Sequence, residues 1–177
     1  MAAGKGGAVM GQGAQRSLRR LVFGIALGAA LASAQDATAL QKRDAKAIDA
    51  LYQRSADLTQ QITSAAATAA AQLSGGGDSA ALDCLEQLRD AATQVSDQLM
   101  DVRDVTSLAV SLRRGADRRR GAAATHRAAT SALTVLDVEG KQVSRTASLC
   151  AAQTGVQPLA KDALQLIDEA TVALKKL

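Results

Sequence analysis

The sequence predicts an all-α protein: an up-down-up-down four-helix bundle in which the second and third helices form an antiparallel hairpin. The chain is rich in alanine and leucine, while the residue types that favour strands are scarce, with one Phe, one Tyr and no Trp in 177 residues. Apolar residues recur at steps of three, four and seven in four segments, which is the spacing of one helix face. The connections between these segments are short, which is typical of antiparallel bundles.

The N-terminus predicts a secretory signal peptide over residues 1–34, followed by a single domain over residues 35–177. The first 20 residues contain four basic side chains and no acidic one, and an apolar run then ends in Ala32-Ser33-Ala34. This order describes a signal peptide cleaved before Gln35, and so a secreted protein. An uncleaved N-terminal anchor is the alternative, although the apolar run is shorter than a typical membrane-spanning helix.

The charge balance argues against nucleic-acid and membrane binding. Of the 21 basic residues, four lie in the predicted signal peptide, which leaves 17 basic against 17 acidic residues and a net charge of zero. General nucleic-acid and anionic-membrane binders depend on net positive charge. No nucleic-acid partner, and no membrane contact after cleavage, is therefore expected.

The first helix of the mature chain is expected from about Ala39 to Leu73. Ser74 and three glycines then end it, because glycine favours turns over helices. Its apolar stripe consists of Ile48, Leu51, Leu58, Ile62, Ala65, Ala69 and Leu73.

The second helix is expected from about Ala80 to Leu112, with Asp78 or Ser79 as its N-cap. Its apolar seam consists of Leu85, Leu88, Ala92, Val95, Leu99 and Val102. After it, residues 113–121 contain five arginines within eight residues. This segment is interpreted as a solvated turn between Gly115 and Gly121. A polyanion-binding patch is the alternative.

The third helix is expected from about Ala122 to Cys150, with a kink or break at Gly140. One face of it contains His126, Ala129, Leu133, Leu136, Gly140, Val143, Ala147 and Cys150. Gly155 and Pro158 separate this helix from the fourth, since proline is well tolerated in a first helical turn. The fourth stripe consists of Leu159, Ala163, Leu166, Ala170, Ala173 and Leu177.

The two cysteines are predicted to form a disulfide. Cys84 lies near the start of the second helix and Cys150 at the end of the third, and their midpoint is residue 117, within the arginine-rich turn. An antiparallel hairpin about that turn brings both cysteines to the same height. An even cysteine count in an exported chain also favours a bond, and two buried free thiols are the alternative.

No catalytic or metal-binding pattern is found in the sequence, so no enzymatic activity and no cofactor are expected. The single histidine, His126, falls on a helix seam, where a structural role is more common than a catalytic one. The clustered carboxylates of the second helix are interpreted as solvated side chains paired with arginines, such as Glu86 with Arg89 and Asp101 with Arg103. A binding protein is therefore favoured over a catalyst.

The segment around Cys84 resembles the plant pectin methylesterase inhibitor and invertase inhibitor family. Residues 81–91, ALDCLEQLRDA, are similar to that family's L-x-D-C-L-E-x-x-x-D-A signature. Asp137-Val138-Glu139, Val143-Ser144 and the tail over residues 163–167 resemble its later segments. The family's first cysteine pair has no counterpart here, and the interval between Cys84 and Cys150 is longer than usual. The excess, about residues 103–130, either extends both helices or is wrongly retained coding sequence.

The resemblance implies a four-helix bundle with a bond between Cys84 and Cys150, and a function by binding. Family members block the substrate cleft of a cell-wall enzyme, which implies a protein of the apoplast whose partner is pectin methylesterase. Acid invertase is the less favoured partner, because Leu159-Ala160 follows Pro158 where invertase inhibitors have Pro-Lys-Phe. The candidate contact residues are polar positions of the second helix: Gln94, Asp97, Gln98 and Asp101.

An exported, alanine-rich helical protein that associates with itself is the alternative to an inhibitor. Narrow apolar seams often pair with helices of a second chain. A third hypothesis, polyanion binding through residues 113–120, predicts an affinity that falls steeply with salt.

Overall fold

The structure is a computed structural model that describes residues 13–73, 75, 79–112 and 115–177, with side chains from Lys42 onward. Two compact units divide the chain, residues 1–40 and 41–177. The first unit is helical from residue 13. The predicted signal peptide lies outside the described side chains, so its cleavage remains a prediction. Within the described part of the chain, no helix combines the length and apolar character that a membrane span needs.

Four helices form the described structure: α1 (Gly13–Leu73), α2 (Ser79–Ser111), α3 (Gly115–Leu149) and α4 (Val156–Leu174). The prediction of an all-α four-helix bundle is confirmed, and the described residues contain no strand. α2 packs extensively against α3, and α4 packs on both. The part of α1 that belongs to the second unit shares the same core.

The apolar seams predicted for the helices meet in one core of small side chains. All six predicted seam residues of α2 are buried. In α1, Ile48 and Ile62 are 1% and 0% exposed, while the predicted Ala65 and Ala69 are only half-buried and Ala66 lies in the core. The alanines in each seam allow helices to approach closely, so that a chain with almost no aromatic residues still has a continuous core.

The predicted nine-residue arginine turn is wrong in extent. α3 begins at Gly115, so the connection between α2 and α3 is confined to residues 112–114. Gly121, predicted to end the turn, is a buried residue inside α3. A Cβ at this position would lie 2.9 Å from Leu112 Cδ1 and 3.0 Å from Ala109 Cβ. The glycine is therefore required by close helix packing rather than by a turn. Both flanking stretches, residues 103–111 and 115–130, are helical.

The predicted break of α3 at Gly140 is absent, since the helix continues through this residue, while a kink there stays a prediction. Gly140 packs beside Ile167 of α4, whose Cγ2 is 3.5 Å from the position of a Cβ. A second prediction for α3 is wrong. His126 is exposed rather than part of the seam, and its neighbour Thr125 is buried instead. A histidine next to a small buried threonine is indistinguishable from a seam residue by spacing alone.

We expect Thr125→Val to raise the free energy of unfolding by about 1 kcal/mol. Thr125 is 7% exposed and its Oγ1 has no hydrogen-bond partner among the described residues, so the described fold buries a polar group without compensation. Valine has nearly the same shape and a similar helix propensity. Urea denaturation measures the change.

Thr106→Val is the matched control for this substitution. Thr106 is also buried, but its Oγ1 donates to the carbonyl oxygen of Val102 at 2.7 Å. Removing this satisfied hydroxyl should give no gain in stability. If the Thr125→Val protein were no more stable than the Thr106→Val protein, the burial of the Thr125 hydroxyl would not be destabilising.

Candidate protein-binding surface

A disulfide between Cys84 and Cys150 joins the start of α2 to the end of α3, as predicted. The two Cα atoms are 6.2 Å apart and both residues are buried, at 8% and 4% exposed. No free cysteine remains, which rules out the alternative of two thiols in this structure. The bond fixes the open end of the α2–α3 hairpin, opposite its connection.

Hydrogen bonds between helices reinforce the same end of the bundle. Gln157, in the first turn of α4, donates from Nε2 to the carbonyl oxygens of Ala147 and Cys150, at 2.8 and 3.2 Å. These carbonyls belong to the end of α3, where helical partners are missing. Thr146 Oγ1 also donates to Gln87 Oε1 on α2, at 3.3 Å. Neither contact is predictable from the sequence, because a single Gln or Thr has no local pattern that reveals a partner on another helix.

The four predicted contact residues lie together on one face of α2. Gln94, Asp97 and Asp101 are exposed, and Gln98 is half-buried. Their spacing of three, four and seven residues places them in one ridge, and the buried seam lies on a different side of the helix. Their part in binding remains a prediction.

This surface of α2 is acidic. The helix contains six carboxylates and two arginines. Arg89 pairs with Asp90 at 3.2 Å and Arg103 with Asp104 at 2.7 Å. The predicted pairs with Glu86 and Asp101 are therefore wrong, since each guanidinium reaches its sequence neighbour instead. Four carboxylates have no salt bridge within the described part of the chain: Asp83, Glu86, Asp97 and Asp101.

Two contacts join α1 to its neighbours, one to α2 and one to α4. The guanidinium of Arg103 stacks over the Tyr52 ring, 4.2 Å from its centre, and the hydrogen bond to Asp104 raises the pKa of Arg103. On the other side, Arg54 forms an ion pair with Glu169 of α4. The hydrogen bond from Arg54 lowers the pKa of Glu169. This pair therefore favours the folded state at neutral pH, and its contribution is lost as the pH falls through the lowered pKa.

A groove with a volume of about 710 Å³ lies between α3 and α4. Its walls combine acidic and basic side chains, including an Asp137–Lys141 ion pair at 2.6 Å. His126 does not line this groove. In the described ranges, no three His, Cys, Asp or Glu residues are placed to hold a metal ion.

No protein-family model, curated protein sequence or solved structure matches the chain. A function can therefore be proposed only from the fold, the surface and the sequence around Cys84.

Proposed function

We propose that the protein is a secreted, non-enzymatic inhibitor that binds over the substrate cleft of pectin methylesterase in the plant cell wall. The observation that supports this proposal most strongly is the Cys84–Cys150 bond. It links the second and third helices of a four-helix bundle, and Cys84 lies inside the Leu82-Asp83-Cys84-Leu85-Glu86 segment. The resemblance implies this combination of bundle, bond and motif.

Rigidity is what such a binding mode requires. A protein that blocks a cleft must present an ordered surface, because ordering side chains and loops on binding reduces affinity. The disulfide and the Gln157 hydrogen bonds hold one end of the bundle. The exposed polar ridge of α2 then serves as the docking face, and its unpaired carboxylates steer the inhibitor toward a basic surface on the enzyme.

A self-associating helical protein is the second candidate. Among the described side chains, four large apolar ones are more than half exposed: Leu108, Val138, Leu149 and Val172. They lie on three different helices, and single apolar residues on a surface are common in monomeric proteins. This observation supports the second candidate less strongly than the disulfide and its motif support the first.

We expect oxidised protein to inhibit a plant pectin methylesterase stoichiometrically and to leave acid invertase active. Residues 35–177 are titrated into each enzyme, and remaining activity is measured against the molar ratio. Inhibition of invertase alone would identify the other target. If a folded helical protein, confirmed by circular dichroism, affected neither enzyme, the proposal would be wrong.

Charge reversal on α2 tests the docking face in the same assay. Asp97→Lys combined with Asp101→Lys should weaken inhibition by at least about tenfold, as expected when a charged docking face is reversed. The matched control reverses Asp57 and Asp162, which line a separate groove between α1 and α4. If both double variants weakened inhibition equally, the acidic surface of α2 would not be the docking face.

A further inference from the structure

The neutral charge of the mature chain conceals a separation of charge. Residues 115–136, named here the basic tip, contain four arginines and one acidic residue, Asp117. The rest of residues 35–177 contains 13 basic and 16 acidic residues. The basic tip therefore has a formal net charge of +3 and the remainder −3. The arginines of the tip are Arg118, Arg119, Arg120 and Arg127.

The described structure places part of this charge on one exposed strip of α3. Arg119, Arg120 and Arg127 are all exposed. Arg120 and Arg127 are seven residues apart, which is two helical turns or about 10 Å along the axis. Between them, Ala123 and His126 are exposed and neither is acidic. None of the salt bridges among the described residues includes these three arginines.

The exposed arginines of the basic tip repel one another. Arg119 and Arg120 are adjacent in α3, and Arg127 lies two turns beyond Arg120. Asp117 is the single acidic residue of the basic tip. An external polyanion would offset the mutual repulsion of these guanidinium groups.

We propose that the basic tip binds a linear acidic polysaccharide, with guanidinium groups pairing with its carboxylates. Guanidinium and carboxylate match in a planar, two-bond geometry. The tip has no Phe, Tyr or Trp, the side chains on which single-stranded nucleic acids stack. The choice of an acidic polysaccharide over a nucleic acid also rests on the proposed function, which places the protein in the cell wall.

The basic tip lies away from the proposed enzyme-docking face in the middle of α2. Cys84 and Ser111 are 27 residues apart on α2, which corresponds to about 40 Å along the helix. A bundle held on de-esterified polysaccharide by its tip therefore leaves the stapled end and the middle of α2 open. Such binding would retain the protein close to the polymer on which its proposed target acts.

The test measures binding of the oxidised full-length chain to polygalacturonate, with fully methylesterified pectin as the uncharged polymer control. The tip variant combines Arg119→Gln, Arg120→Gln and Arg127→Gln. The matched control combines Lys161→Gln, Lys175→Gln and Lys176→Gln, three exposed positions of α4 and the C-terminus that change the total charge equally. We expect the tip variant to bind at least about tenfold more weakly, and the wild type to lose at least about tenfold in affinity between 50 and 200 mM salt.

Several outcomes would overturn this proposal. They are no binding by the wild type, equal losses in both triple variants, equal binding to the methylesterified polymer, or tighter binding to a single-stranded RNA than to polygalacturonate at equal salt. Circular dichroism checks that both variants are folded. Inhibition of pectin methylesterase is measured separately and should be unchanged in the tip variant. If the wild type bound polygalacturonate without inhibiting the enzyme, the result would support polysaccharide binding by the basic tip and reject the proposed function.

Discussion

Loss of the Cys84–Cys150 bond is expected to lower the free energy of unfolding by about 4 kcal/mol. The bond spans 66 residues, and closing so long a loop removes much of the conformational entropy of the unfolded chain. For a domain of this size, the loss corresponds to a melting temperature roughly 10–20 °C lower. The measurement is thermal unfolding of Cys84→Ser combined with Cys150→Ser, followed by circular dichroism.

Chemical reduction provides the control for this prediction. Reducing the wild type should lower its melting temperature to that of the double variant, whereas the variant should not respond to reductant. Equal melting temperatures for oxidised wild type and the double variant would mean that the bond contributes nothing to stability. A variant that is still sensitive to reductant would show that the reductant lowers the melting temperature by a route other than cleavage of this bond.

Truncating Leu136 is expected to destabilise the bundle by about 2–5 kcal/mol. Leu136 lies near the middle of α3 and is 0% exposed. Leu136→Ala therefore removes buried apolar contact and leaves a cavity that rigid neighbouring helices cannot fill. The midpoint of urea denaturation measures the loss.

Leu149→Ala is the matched control, since Leu149 lies on the same helix but is 75% exposed. Its truncation should change stability by less than about 0.5 kcal/mol, as is usual for surface substitutions. If the two variants were equally stable, the face of α3 that contains Leu136 would not be buried in the core of the protein in solution.

How well the sequence predicts each helix depends on how regular its apolar pattern is. α2 keeps one seam from Leu85 to Val102, and its bounds and buried face follow from that spacing. The start of α3 does not follow from apolar spacing, because residues 113–121 combine arginine with glycine. Arginine favours helix while glycine opposes it, and the packing of Gly121 against Ala109 decides the outcome. A contact between helices of this kind has no local signal.

The same distinction applies to the candidate surface. The pairing of Cys84 with Cys150 follows from the hairpin, because antiparallel helices bring symmetric positions together. The arginine pairs of α2 do not follow from helical spacing, since a long guanidinium can reach the adjacent carboxylate as well as one a turn away. The partner of Gln157 depends on how the chain reverses after α3.

One-to-one binding to pectin methylesterase is the central claim, and the mass of the complex in solution tests it most directly. Size-exclusion chromatography with light scattering is applied to the oxidised protein alone and mixed with the enzyme. The proposed function predicts a monomer alone and a complex with the summed mass of one inhibitor and one enzyme. A protein that forms oligomers alone and elutes apart from the enzyme would contradict the claim and favour the self-associating helical protein.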